Sequence, residues 1–170
     1  MTTYEHSLGS TRVNIFAFGS PFGDDSIGWR LAERLNEVRL PSDIGLCVQQ
    51  LDRPILTLTQ RLEPEVPTLI VDAMVSGQQP LGSLQEFTLT QLPDALAQLS
   101  SHGYGLLASL QLANALGRLP AICLILAIEI NPQSKPAGPL CQTLAQRLAP
   151  LSEQVLARAR QLAHEPSNAI

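Results

Sequence analysis

The chain has 170 residues, a formal charge of −4 and an isoelectric point near 5.3. That length suits one domain whose core needs no disulfide or metal staple, and the 11 scattered basic residues do not form the cationic cluster that a nucleic-acid backbone or an anionic membrane demands. Three cysteines, Cys47, Cys123 and Cys141, form no CxxC pair, which argues against a disulfide framework or zinc knuckle and for a reduced, cytoplasmic setting; the opening MTTYEHSLGSTR also lacks the apolar core and cleavage pattern of a signal peptide.

Val13 to Phe18, VNIFAF, is the first apolar run bounded by turn residues and is expected to be a buried strand. In SIGWRLAERLNEV the apolar residues Ile27, Leu31, Leu35 and Val38 fall on one helical face. GLCVQQL, Gly45 to Leu51, reads as a second strand, PILTLTQRL after Arg53 as a helix ending before Pro64, and TLIVDA, Thr68 to Ala73, as a third strand. The connection AMVSGQQPLGS is too short for a crossover helix, so SLQEFTLT, Ser83 to Thr90, is expected to run antiparallel to strand three. LPDALAQL returns the chain, and HGYGLLASLQLANALG, His102 to Gly117, reads as a helix with Gly117 near its C-cap.

AICLILAIEI then reads as a central strand buried on both faces; its apolar run is too short to cross a bilayer as a helix. The remainder, from Leu140 to about His164, is expected to be helical with a break at Pro150. Alternating strands and helices with one reversed strand predict an α/β fold. It is a three-layer α/β/α sandwich around a five-stranded, mainly parallel sheet, with Ser83–Thr90 antiparallel and all 170 residues in one domain.

Ligands in such folds collect at the carboxyl ends of the strands. There the stretch FGSPFGDDSIG, Phe18 to Gly28, joins a strand to a helix N-terminus through a glycine-bearing turn, a place that ordinarily attracts anions. Two adjacent carboxylates, Asp24 and Asp25, would repel a phosphate and instead suit a cation. By topology alone Asp25 after strand one, Asp72 at the end of strand three and His102 at the start of a helix converge on one edge. Two carboxylates and an imidazole form a borderline-hard donor set suited to zinc, nickel, manganese or iron. Each residue also has a simpler role, Asp24 or Asp25 as a cap of the first helix, Asp72 as a strand-ending turn residue and His102 as a cap of its own helix, and the residues alone leave both readings open.

The segments FGSPFGDDSIGWRLAERL, LIVDAMVSGQQPLG and SSHGYGLLASLQLANALGRLP, in this order and at these separations, resemble the hydrogenase maturation endopeptidases. Those nickel-dependent proteases trim the C-terminus of NiFe-hydrogenase large-subunit precursors, and the resemblance continues through LAIEI into the final helices. It implies that Asp25, Asp72 and His102 are both the metal-binding and the catalytic residues. It further implies that the nickel arrives already seated in the precursor, with zinc or another divalent cation able to occupy the site in isolation. A cytoplasmic monomer acting on the large-subunit precursor, with no nucleic-acid or membrane partner, is the expectation that follows. A non-catalytic nickel-checking, chaperone-like protein of hydrogenase assembly is the alternative. The chain departs from the family in Gly19-Ser20 for the usual Gly-Asn, in Ser26 where glycine is frequent, and in Pro80-Leu81-Gly82 for a simple Pro-Gly.

Other chemistries find little support. HExxH is absent, GxSxG fails because position 18 is Phe, and neither GxGxxG nor GxxxxGK(S/T) occurs, which opposes a nucleotide-binding domain. Ser20 reads as a turn residue, Cys47 and Cys123 as small core residues, and Cys141 as the opening of a helix. Glu129, ending strand five inside an apolar run, must either pair with a donor or face the site edge. Trp29 is expected in the core, and Phe22 on the loop is a candidate to line a groove for the substrate tail.

Overall fold

A computed structural model describes residues 12–38, 44–52, 54–91, 103–131 and 138–165. The strands are β1 (Arg12–Phe18), β2 (Gly45–Leu51), β3 (Thr68–Met74), β4 (Leu84–Thr88) and β5 (Cys123–Glu129). The helices are α1 (Ile27–Glu37), α2 (Pro54–Arg61), α3 (Gly103–Ala115) and α4 (Gln142–His164), and a short 3-10 turn, Gly23–Ser26, precedes α1. The strands form a single sheet in the order β2-β1-β3-β5-β4. All neighbours are parallel except β4, which pairs antiparallel with β5.

The fold expected from the sequence is therefore present, and β4 does run opposite to β3; its hydrogen-bonded neighbour is β5. Strand alternation divides the core in two. Val13, Ile15 and Ala17 of β1 and Leu69, Val71 and Ala73 of β3 pack with α1 and α4. Phe16 and Phe18, Ile70 and Met74, and Ile125 and Ala127 pack on the other face with α2 and α3. Right-handed crossovers dictate this split. The chain leaves β1 toward β2 through α1 and returns past β1 to β3 through α2, so the two helices land on opposite faces and the strand order switches direction between β1 and β3.

Several bounds differ from expectation: β4 spans Leu84–Thr88 and not Ser83–Thr90, the chain turning at Leu89 to Gln91. Val38 is 40% exposed and already extended at ψ 132°, so the buried stripe of α1 is Ile27, Leu31 and Leu35. Helix α4 runs unbroken through Pro150. Proline deprives the carbonyl four residues back of its donor, and that residue, Gln146, lies on the exposed side where water serves instead. The buried stripe Leu144, Leu151, Val155 and Leu162 continues across the proline and holds the two halves in register. Restoring the donor with Pro150→Ala is expected to raise stability by about 1–3 kcal/mol, read as a higher urea midpoint with unchanged m. Arg158 of α4 binds Glu86 of β4 at 2.6 Å and Glu165 at 2.8 Å; the bond to Glu86 above all holds the guanidinium pKa higher than usual, and the pair fastens α4 to the edge strand.

Candidate active site

Several connections lie at the carboxyl edge of the sheet. The first follows β1. Ser20 Oγ lies 3.5 Å from the Phe22 N–H and 3.4 Å from the Phe22 carbonyl, a turn role as expected. Gly23 adopts φ 57°, a conformation that side chains rarely tolerate, and the Ser26 hydroxyl closes the turn by donating to the Gly23 carbonyl at 2.6 Å. Asp25 is half-buried on this turn.

Asp24, which the sequence suggests as a cap or orienting residue of the turn, does not hold an N-cap position; Phe22 and Ser26 do, without side-chain capping bonds of their own. The Asp24 carboxylate is 2% exposed and accepts the backbone N–H of Cys141 at 2.9 Å. Cys141 is the N-cap of α4 and supplies no cap of its own. A carboxylate is favoured at a helix N-terminus by the dipole and the free N–H groups there, so Asp24 serves a helix 117 residues away.

Asp72 lies within β3, two residues before the strand ends at Met74, and not in a turn. It is fully buried, level with Ala127 of β5 and one residue beyond the Ala17–Val71 pair. Oδ1 accepts the Ala73 N–H at 2.8 Å. By alternation it shares a face with Ile70 and Met74, the face on which α3 packs through Leu106, Leu110 and Ala113. His102, which directly precedes α3 in the chain, lies outside the described residues, as does the returning segment LPDALAQL. Among the described residues no group of three or more His, Cys, Asp or Glu side chains is arranged to hold a metal ion. The described part of the edge thus supplies Asp25, on the turn after β1, and Asp72, near the end of β3. Asp24, Glu129 and the exposed Asp52 just past β2 are further carboxylates at this end of the sheet.

The second connection, from Val75 to Ser83, is gripped by Glu129. This carboxylate is 1% exposed at the end of β5; Oε1 accepts the N–H groups of Ser76 at 2.9 Å and Gly77 at 2.8 Å, and Oε2 accepts the Ser76 hydroxyl at 2.5 Å. Of the two roles its sequence context allows, Glu129 takes that of a carboxylate paired with neighbouring donors. Glu129→Ala removes the acceptor of two part-buried N–H groups and of the Ser76 hydroxyl, and is expected to cost roughly 1–3 kcal/mol. Glu129→Gln keeps the Oε1 acceptor and lets the Ser76 hydroxyl accept in turn, so chemical denaturation should place it within about 1 kcal/mol of wild type.

The remaining candidates are structural. Burial pushes the Cys123 thiol pKa up to about 12, which removes it as a nucleophile. Cys47 accepts a bond from Gln49 Nε2 at 3.2 Å. Trp29 is only partly buried; its indole N–H donates to the Leu51 carbonyl at 3.2 Å and ties α1 to the end of β2. Phe22 is 59% exposed on the first connection.

Comparisons with solved structures place this fold among known ones. The chain matches the hydrogenase maturating endopeptidase HybD from E. coli with a TM-score of 0.73 and 23% identity, over 89% of this chain and 93% of that one. It matches the [NiFe] hydrogenase maturation protease HybD from Thermococcus kodakarensis with a TM-score of 0.69 and 21% identity, over 88% and 99%. The HycI protease from Thermococcus kodakarensis gives 0.62 and 19%, over 90% and 95%. No family model matches the sequence, and no curated protein sequence does.

Proposed function

We propose that the chain is a hydrogenase maturation endopeptidase, which removes a C-terminal extension from a NiFe-hydrogenase large-subunit precursor after nickel has been inserted. The supporting observation is that the whole architecture, at near-complete coverage of both chains, is that of proteins named for this activity. The position of Asp25 and Asp72 at the carboxyl edge, beside the β1/β3 switch point, agrees with it.

On this reading Asp25, Asp72 and His102 receive the precursor's nickel site, with the nickel as part of the substrate. Bound there, the metal would polarise the scissile carbonyl or activate water. The chain's own residues bind and orient. The two carboxylates supply anionic oxygens, and the His102 imidazole adds a neutral nitrogen donor. The connections pinned by Asp24 and Glu129 hold the edge rigid enough to position a peptide bond. Hydrolysis adds water across that bond, leaving a carboxylate on the mature subunit and a free amine on the released extension.

The test is to incubate the protein with nickel-loaded and nickel-free precursor and to weigh the products by mass spectrometry. Only loaded precursor is expected to lose mass from its C-terminus. Complex formation without mass loss would support the checking-protein alternative, and equal cleavage of both forms would remove nickel recognition from the account.

His102→Ala and His102→Gln are both expected to lose processing, since an amide is a poor ligand for these metals even where it keeps polarity. Cleavage of loaded precursor at wild-type rate by soluble His102→Ala would exclude the imidazole from the mechanism.

A further inference from the structure

We propose that Asp24 is a positioning residue that fixes the Asp25-bearing turn by fastening it to the start of the C-terminal helix α4. The inference rests on the reading of Asp25 as a cation ligand and extends it to a neighbour with a different task. Two bonds cross between the same segments: Cys141 N–H donates to Asp24 Oδ1 at 2.9 Å, and Gly23 N–H donates to the Gly138 carbonyl at 2.8 Å. Asp24 is 2% exposed, whereas Asp25 beside it is half-buried, so the two adjacent carboxylates are divided between clamp and ligand.

The far side of the clamp is itself anchored. Leu140 and Cys141 pack against the core beneath α1 and α4, and α4 begins immediately after. Orientation of Asp25 therefore depends on a segment more than a hundred residues downstream, which also follows the exit of β5, the strand whose Glu129 holds the connection after β3. A ligand held by buried partners of this kind loses affinity when the partner is removed, by about 10- to 100-fold.

Zn²⁺ binding to the purified protein without precursor, measured by calorimetry, tests this in a double-mutant cycle. Asp24→Ala removes the acceptor. Cys141→Pro removes the donor at a residue whose φ of −63° already suits proline. Each is expected to weaken Zn²⁺ binding about tenfold, and the double variant no further than Asp24→Ala alone, because the link that Cys141→Pro breaks is already lost in Asp24→Ala. Asp24→Asn keeps an acceptor oxygen and should stay within about threefold of wild type, the rescue that a ligand role would not allow. Amide exchange in residues 19–28 should rise in Cys141→Pro, and exchange in residues 138–145 should rise in Asp24→Ala.

Wild-type affinity in Cys141→Pro, or losses that multiply in the double variant, would overturn the proposal and make Asp24 a direct ligand. If wild type takes up no Zn²⁺, the ligand reading of Asp25 fails on its own, and reciprocal exchange still decides whether the clamp exists. If Asp24→Ala does not fold, Asp24→Asn and Cys141→Pro carry the same comparison.

Discussion

Asp25→Asn is expected to lower processing of nickel-loaded precursor by more than about 100-fold while shifting the melting temperature by no more than about 2 °C. The size of the loss follows from removing an anionic group at the point where cationic charge is stabilised. The small change in stability follows from where Asp25 sits. It is half-buried, and no side-chain capping bond at the starts of the turn or α1 depends on it, so an amide of equal size disturbs little packing. Asp72→Asn should inactivate to a similar degree but with some loss of stability, because that side chain is fully buried and its Oδ1 accepts the Ala73 N–H. Precursor assays beside thermal melts of both variants check this. Near-wild-type processing by folded Asp25→Asn would remove the residue from the catalytic centre.

Gly28→Ala is expected to cause the largest loss of stability, about 3 kcal/mol or more, or roughly 6–12 °C in Tm. Alanine ordinarily favours a helix over glycine by about 1 kcal/mol, so intrinsic propensity predicts the opposite sign. Contact decides it: a Cβ on Gly28 would stand 2.1 Å from the carbonyl oxygen of Phe18. Neither atom belongs to a flexible side chain, so α1 must withdraw from β1 as a whole. That movement would carry the Asp25 turn with it, and processing should fall together with stability. At Gly77, where nothing lies within 4 Å, alanine meets only the strain of φ +65°, and a loss near 1 kcal/mol is the expected contrast.

The strands and most helices were legible because their signal is local. VNIFAF, GLCVQQL and TLIVDA are apolar runs closed by turn residues, and AMVSGQQPLGS is too short to return parallel. Pro150 misled because its cost depends on whether the orphaned carbonyl meets water, which the neighbouring sequence does not state. The Asp25 and Asp72 positions followed from topology, since parallel strands bring their carboxyl ends to one edge. The partner of Asp24 was out of reach, as no local pattern links it to residue 141. The one available hint was that α4 opens at cysteine, a poor N-cap, and so required an acceptor from elsewhere. For Glu129 the sequence left pairing with a donor and facing the site edge both open, because its donors lie 52 and 53 residues earlier in the chain.

On the proposed reading, Asp25, Asp72 and His102 form one cation site at the carboxyl edge of the sheet, beside the β1/β3 switch point. Anomalous diffraction at the metal edge, from crystals soaked in nickel or zinc, tests it most directly. The account predicts one strong peak about 2.0–2.2 Å from a carboxylate oxygen of each aspartate and from a ring nitrogen of His102, lost in Asp25→Asn crystals. A fully occupied peak elsewhere, with that edge of the sheet empty, would contradict it.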